Sequence, residues 1–245
     1  MRCLLALSLL FFPFLASAAS PNCETYLSSW AKKLHPTLAF DKQRSACKTA
    51  NDDPEQTLAV LVLEEERVKV EDEPEDWVTY GLEIISAKKG VIESHVYESN
   101  AIDISLFKFS GLSLDPASYQ LTPGAHTFGV ILKHDMAIEP LTRSITLLYL
   151  YTDEGKRMRK ILEMEKDMAS AEQNPDSCAG SFLEEHLTLS IGKNSNHGYA
   201  DLEVAEKVIA TEKTDTGNGC TKEEKPTSNE YVLIYNGERY DPKYR

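Results

Sequence analysis

Hydrophobic and polar residues alternate over much of the chain beyond Thr57, with the period of two that β-strands require. Every second residue from Val78 to Ile84 is apolar, and the residues between them are polar or glycine. Leu58–Leu63 is apolar at every position, which favours a strand buried on both faces. Similar segments, separated by polar turns, are Val91–Tyr97, Ile102–Phe109, Phe128–Leu132, Ile145–Tyr151, Leu187–Ile191, Tyr199–Val208 and Tyr231–Tyr235. The pattern predicts a mainly β fold of short strands, arranged as an antiparallel sandwich or as propeller-like sheets.

The beginning of the chain has a different period. Ser20 is a suitable N-cap residue and Pro21 suits a first helical turn. Apolar residues then recur at helical spacing until His35-Pro36, which ends the pattern. We therefore expect a short N-terminal helical cap over residues 19–54, followed by a β-rich domain over residues 55–245.

Two later segments are harder to assign from the pattern alone. Met158–Met168 suits both a strand and a helix, and we favour a strand because the turn residues Asp153-Glu154-Gly155 precede it. Lys213–Asn229 is rich in Thr, Gly, Lys and Glu, so we expect an exposed loop there.

The first residues have the composition of a secretory signal peptide. Arg2 supplies the positive charge, Leu4–Leu15 is largely apolar, and Ala16-Ser17-Ala18 fits a signal-peptidase site. This predicts a signal peptide over residues 1–18, cleaved after Ala18. The apolar stretch is shorter than the ~20 residues needed to cross a bilayer. We therefore expect no membrane span and a soluble periplasmic or secreted protein.

The cysteines fit such a compartment. The chain contains five, and removal of the signal peptide takes away Cys3 and leaves Cys23, Cys47, Cys178 and Cys220. An even number of cysteines in an oxidising compartment indicates two disulfides. Three pairings are possible, and pairing of sequence neighbours is the simplest because each loop is then modest. The spacings match no zinc site of closely paired ligands.

The charge of the protein bears on its partners. The formal net charge is −13, and no run of basic residues offsets it. Such a surface repels nucleic acids and anionic lipids. The densest acidic runs are Glu64–Glu66 and Glu71–Asp76. Runs of this kind are usually solvated edges; the alternative is a docking surface for a basic partner, with Trp77 as its apolar anchor.

No arrangement of residues predicts a specific reaction. His126 and His134 lie at the two ends of one predicted strand, about 26 Å apart, so they cannot share a metal ion. Ser181 follows a glycine but no local base activates it. The His-Glu-x-x-His, Gly-x-Ser-x-Gly, phosphate-loop, dinucleotide and haem-attachment motifs do not occur. The sequence thus assigns no catalytic, cofactor-binding or metal-binding residue.

Four groups of residues stand out in the C-terminal two-thirds of the chain: Tyr119–Gly124 with Thr127–Val130, Cys178–Phe182, His197–Leu202 and Tyr231–Tyr240. They resemble an uncharacterised family of exported bacterial proteins, which implies a Gram-negative envelope setting and no known activity. His197–Leu202 also resembles, weakly, the Gly-Tyr-x-Asp-Leu part of integrin-type propeller repeats. In those repeats acidic residues before the glycine bind calcium, whereas Lys193 takes one of those positions here. We therefore expect a plain turn at His197-Gly198.

Two hypotheses of function follow. The first is a non-enzymatic binding or accessory protein of the cell envelope, which would contact another envelope protein through its sheet surfaces and loops. The second is a periplasmic hydrolase that acts on cell-wall or carbohydrate material with a pair of carboxyl groups. The second requires two acidic side chains in one cleft, one of them with a raised pKa.

Overall fold

A computed structural model of the protein describes residues 23–50, 53–71, 76–104, 107–115 and 117–242. The signal peptide expected over residues 1–18 lies outside these ranges. The elements are α1 (Glu24–Leu34), β1 (Ala39–Thr49), β2 (Gln56–Val68), β3 (Trp77–Lys88), β4 (Val91–Ile104), β5 (Lys108–Leu114), β6 (His126–Ile138), β7 (Leu141–Asp153), β8 (Met158–Gln173), β9 (Gly180–Asn196), β10 (Tyr199–Asp215) and β11 (Cys220–Leu233).

The strands form two antiparallel sheets in which sequence neighbours pair. One sheet has the order β1-β2-β3-β4, and the other has the order β11-β10-β9-β8-β7-β6-β5. The predicted mainly β class is confirmed, with the two packed sheets of a sandwich. The strands are longer than expected, from 7 residues in β5 to 17 in β9 and β10, because polar stretches without apolar alternation also join the hairpins.

The first core lies between the two sheets. Alternate residues of the small sheet, such as Val60, Leu82 and Ile84, pack against Val130 and Tyr151 of the large sheet. All five are fully buried. This burial of apolar side chains from both sheets is the main force that holds the sandwich together.

Helix α1 covers the outer face of the small sheet. Leu27 and Trp30 of α1 pack with Leu61 and Ile85, and Trp30 Nε1 donates a hydrogen bond to the carbonyl of Gly90, 3.2 Å away. The helix lies within the predicted cap, but the second half of that cap, residues 39–49, is strand β1. The small sheet is thus buried on both faces, which explains the continuous apolar run in β2.

The large sheet divides between β8 and β9. The two strands pair only from Asp167 with His186 to Gln173 with Gly180, although β8 begins at Met158 and β9 continues to Asn196. A second core fills the region beyond the division, where Leu148, Leu150 and Met164 of β7 and β8 pack with apolar residues of β9–β11. Leu148 and Leu150 alternate with Tyr149 and Tyr151, which belong to the first core. The second half of β7 is therefore buried on both faces, and the division is a fork that encloses this second core.

Strands β8–β11 of the large sheet show that one prediction is wrong and that two others are confirmed. Residues 213–229, expected as a loop, belong largely to the antiparallel pair β10–β11, whose register runs from Leu202 with Leu233 to Asp215 with Cys220. The segment is exposed, as expected, but it is a strand pair whose two faces are both polar. The ambiguous segment Met158–Met168 is a strand, as favoured. The segments Leu187–Ile191 and Tyr199–Val208, both expected as strands, lie in β9 and β10 and pair with each other.

Both disulfides join sequence neighbours. Cys23–Cys47 ties the start of α1 to β1, and Cys178–Cys220 ties the segment before β9 to the start of β11, each with a Cα–Cα distance of 6.1 Å. Two disulfides indicate an oxidising environment of the kind met by exported proteins. Within the described part of the chain, no helix is both long and apolar enough to cross a membrane.

Candidate functional sites

The fork between β8 and β9 opens into a cleft of about 610 Å³, which we call the fork cleft. Its lining comes from five strands and the C-terminal segment: Arg143, Leu147, Glu163, Met164, Glu165, Met168, Glu185, Leu187, Glu206, Val208, Asn229, Glu230, Tyr231 and Pro242. The consecutive residues Glu163, Met164 and Glu165 all contribute. Since neighbouring side chains of a strand point to opposite faces, the cleft runs along the edge of β8 and not over one of its faces.

The floor of the fork cleft is apolar. Met164 and Leu187 are buried, at 2% and 5% exposure, whereas Leu147, Met168 and Val208 are partly exposed. The partly exposed side chains present apolar surface to the cleft, and methionine adapts its shape to different ligands. The cleft can therefore bury apolar groups of a ligand.

The rim of the fork cleft is acidic. Its described lining includes the five glutamates Glu163, Glu165, Glu185, Glu206 and Glu230 but only one basic residue, Arg143. Lys160 Nζ lies 2.8 Å from Glu163, and Arg143 Nη2 lies 4.0 Å from Glu165. With five carboxyl groups and one guanidinium group, the described lining carries an excess of negative charge, so the cleft attracts positive charge.

The edge of β8 is held at both ends of the fork cleft. On one side, His186 Nδ1 forms a close contact with Asp167 Oδ1 at the last residue pair that joins β8 to β9. On the other side, the backbone N–H of Tyr240 donates to the carbonyl of Ile161 at 2.8 Å. Arg159 also donates to the carbonyl of Glu238, at 2.5 Å. The fork cleft is thus a preformed opening between two fixed points.

A second opening, of about 430 Å³, lies at the end of the sandwich; we call it the mouth cleft. Lys48, Ala50, Gln56 and Leu58 line one wall, and the segment from Ala117 to Phe128 lines the other. His126, the first residue of β6, lies on this rim. His134 is not at the other end of the strand, because β6 continues to Ile138; it packs against Phe109, with ring centroids 5.8 Å apart. The two histidines remain far apart, as the sequence predicted.

Beside the mouth cleft lies a row of buried polar side chains. Gln56, Ser86 and Ser94 are at most 4% exposed, and Gln56 Nε2 donates to Ser86 Oγ at 2.9 Å. Within the described structure, Gln56 Oε1 and Ser94 Oγ have no hydrogen-bond partner. Lys48 donates to the carbonyl of Asp115, and burial lowers the pKa of Lys48. The mouth cleft therefore offers both hydrogen-bond acceptors and a cation.

Asp115 fixes the outer wall of the mouth cleft. Its carboxylate accepts hydrogen bonds from the backbone N–H of Ala117 and from Tyr119 Oη, both at 2.9 Å. Burial, together with the neighbouring carboxylate, raises the pKa of Tyr119, so its hydroxyl keeps its proton. Asp115 is thus a structural carboxylate.

The acidic runs that stand out in the sequence are mostly engaged in local contacts. Glu64 forms an ion pair with Arg67 at 2.6 Å, which lowers the pKa of Glu64. Glu65 accepts hydrogen bonds from Tyr97 Oη at 2.6 Å and from the backbone N–H of Asn100 at 2.7 Å. Trp77, at the open end of the β2–β3 pair, is 47% exposed. Part of the run Glu71–Asp76 lies outside the described residues.

The other residues considered in the sequence have structural contacts. Ser181 Oγ donates to the carboxylate of Glu212 at 2.9 Å, and both side chains are exposed on the outer strands. His197 and Gly198 both have positive φ, 50° and 82°, as the two-residue turn between β9 and β10 requires. Asp201 is buried and accepts a hydrogen bond from Asn196 Nδ2 at 2.8 Å.

Sequence reasoning missed a buried carboxylate between two histidines. Glu83 is 1% exposed; its two oxygens contact His35 Nε2 at 2.5 Å and His95 Nδ1 at 2.8 Å. The sequence signal that could have found this carboxylate is the charged residue Glu83 between the apolar residues Leu82 and Ile84 of β3. The two imidazoles contact different oxygens, so the carboxylate separates them, and the three side chains form a structural hydrogen-bonded cluster.

The carboxyl groups with displaced pKa values do not have the form that a hydrolase requires. Asp53, Glu64, Asp135 and Glu154 have pKa values below the usual range, each because of hydrogen bonds with neighbouring side chains. A general acid of a glycosidase needs the opposite displacement. These four groups are therefore poor candidates for that role.

Comparisons with known proteins add no functional assignment. No protein-family model matches the chain, and neither the comparison with curated proteins nor that with solved structures found a similar protein.

Proposed function

We propose that this chain is an exported, non-enzymatic binding protein that holds a basic segment of a partner protein in its fork cleft. The observation that carries the proposal is the combination of five rim glutamates with an apolar floor. A segment that contains both basic and apolar residues matches both parts of this surface. The mouth cleft, at about 430 Å³, is smaller than the fork cleft and carries the positive charge of Lys48.

The expected cell compartment supports a protein–protein role. Two disulfides indicate an oxidising environment, and residues 1–18 have the composition of a cleavable signal peptide. We propose that the protein is periplasmic in a Gram-negative cell, where its partner is another envelope protein. Mass analysis of the native product tests this location: we expect a mature chain that starts at Ala19 and contains two disulfides, whereas an intact leader with free thiols contradicts it.

Peptide binding tests the partner chemistry. The probe is a fluorescent peptide of four lysines and three leucines, and its controls replace either all lysines by glutamate or all leucines by serine. We expect the fluorescence anisotropy to rise on addition of the protein only for the first peptide. Its affinity should fall as the salt concentration rises, because exposed charge pairs are screened. Equal binding of the three peptides, or no binding of the basic one, rejects the proposal.

Charge-neutral variants locate the site. Glu163→Gln combined with Glu165→Gln and Glu230→Gln removes three rim charges and preserves side-chain size. At about 0.2–1 kcal/mol for each exposed pair, the triple variant should bind the basic peptide roughly tenfold more weakly. The matched control also removes three charges, by Glu93→Gln, Glu139→Gln and Glu203→Gln, since these residues are exposed and lie outside the fork cleft. An equal loss in the control variant means that total charge, and not the cleft, determines binding.

A further inference from the structure

The edge of β8 that borders the fork cleft lacks a neighbouring strand. On its other side β8 pairs with β7 throughout this stretch, for example Leu150 with Leu162 and Leu147 with Glu165. Pairing with β9 starts only at Asp167. Residues 162–166 therefore form a strand that is hydrogen-bonded along one edge and has no strand partner along the other among the described residues.

The C-terminal segment of the chain already forms a backbone hydrogen bond to the same edge of β8. Tyr240 donates its N–H to the carbonyl of Ile161, directly before the open stretch, and Pro242 lines the cleft two residues later. Tyr235 and Tyr240 form an isolated bridge that presents this backbone to β8. The geometry at Ile161 shows that a backbone segment can approach the edge closely enough to hydrogen-bond.

The side chains of β8 at this edge alternate between acidic and apolar. Glu163 and Glu165 flank Met164, which is 2% exposed and belongs to the second core. An added strand would alternate in the same way, since its successive side chains also point to opposite faces. Basic residues at every second position would then meet the two glutamates, and apolar residues between them would lie near the floor.

We propose that the partner segment binds as an added β-strand along residues 162–166 of β8, with basic and apolar residues in alternation. This inference rests on the proposed function and adds its binding mode. Main-chain hydrogen bonds to the edge of β8 supply affinity, and the alternating side chains supply selectivity, as in other cases of strand addition. The five open residues of β8 span about 17 Å, so the recognised motif is five or six residues long.

Peptides of one composition but different order test the mode of binding. One peptide alternates lysine and valine over six residues, and the other has the same three lysines followed by the three valines. We expect the alternating peptide to bind at least tenfold more tightly by fluorescence anisotropy. If both bind with the same affinity and both lose it in the triple glutamine variant, the proposed function stands and strand addition is overturned. If neither binds, both are overturned.

Backbone methylation of the alternating peptide gives the second test and leaves the protein unchanged. N-methylation at every second amide removes the donors on one edge of the peptide strand, and methylation of the remaining amides removes those on the other edge. We expect one of these two peptides to lose at least tenfold in affinity while the other keeps it. Equal affinities for the two methylated peptides overturn the proposal, because an added strand uses only one of its edges.

The sequence offers an alternative occupant of this edge. Lys243-Tyr244-Arg245 follows Pro242 and has basic residues on either side of an aromatic one. The variant Lys243→Ser with Arg245→Ser distinguishes it from a partner. An unchanged affinity for the alternating peptide supports a partner segment as the occupant. A tenfold rise in affinity means that these residues compete for the edge, and it overturns the assignment to a partner.

Discussion

His35 Nε2 lies 2.5 Å from Glu83 Oε2 and joins the end of helix α1 to the middle of the small sheet. His35 is the residue at which the helix ends, and Glu83 is buried on β3. His95 on β4 contacts the second oxygen of Glu83 at 2.8 Å. One buried carboxylate thus links three elements whose residues are distant in sequence.

Removal of the histidines should destabilise the protein in a cooperative way. His35→Ala or His95→Ala alone leaves Glu83 one partner, and we expect a loss of about 1–2 kcal/mol in the free energy of unfolding. The double variant leaves a buried carboxylate unpaired, which costs about 3–5 kcal/mol. Urea unfolding of the four proteins measures the coupling. Strictly additive losses would show that the two histidines act independently of Glu83.

A side chain at position 81 should lower the free energy of unfolding as long as Tyr97 is present. A Cβ on Gly81 would lie 2.0 Å from Tyr97 Oη. This ring is held by a hydrogen bond to Glu65 at 2.6 Å and by a tilted contact with the His35 ring, with centroids 4.2 Å apart. Gly81→Ala should therefore cost about 1–3 kcal/mol, as overpacking does elsewhere. In a Tyr97→Ala background the same change should cost under about 0.5 kcal/mol. A similar cost in both backgrounds would indicate that the backbone of Gly81, and not the ring, sets the limit.

His134 should contribute to a loss of stability at acidic pH. Burial lowers the pKa of His134 in the folded protein, so the unfolded chain binds its proton more readily. Stability is then highest above the unfolded pKa of about 6.5 and falls as the pH drops through that value towards the lower folded pKa. His134→Gln should lose less free energy of unfolding between pH 7.5 and pH 5 than the parent protein does.

The control for His134 is His197→Asn, a change in an exposed turn residue with positive φ that asparagine also accepts. Its pH dependence should follow that of the parent. A His134→Gln profile that coincides with the parent profile contradicts the assigned cause.

Both disulfides should contribute to thermal stability. In the chain-entropy relation, loops closed by separations of 24 and 42 residues contribute about 3.5 and about 4 kcal/mol. We expect Cys23→Ser with Cys47→Ser, and Cys178→Ser with Cys220→Ser, each to lower Tm by roughly 7–15 °C. Reducing agent should lower the Tm of the parent protein but not that of a variant lacking all four cysteines. An unchanged Tm of the reduced parent would show that the crosslinks do not limit unfolding.

Local patterns predicted much of the fold. The alternation from Val78 to Ile84 identifies β3, and the turn at His197-Gly198 identifies the β9–β10 hairpin, because period and turn chemistry depend only on neighbouring residues. The same reasoning failed for residues 213–229, where both faces of the strand pair are solvated and no apolar period remains. It also failed for β1, which the helical pattern of the preceding segment obscured.

The sequence by itself determined the fold class, the cysteines available for two crosslinks and the acidic character of the surface, because these follow from composition and short-range order. The tertiary structure decided where the charges gather. Glu163, Glu185, Glu206 and Glu230 belong to four different strands and meet only because β8, before it reaches Asp167, is separated from β9. That separation depends on the second core, in which β7–β8 pack against β9–β11, and contacts between residues so distant in sequence leave no signal in a local pattern.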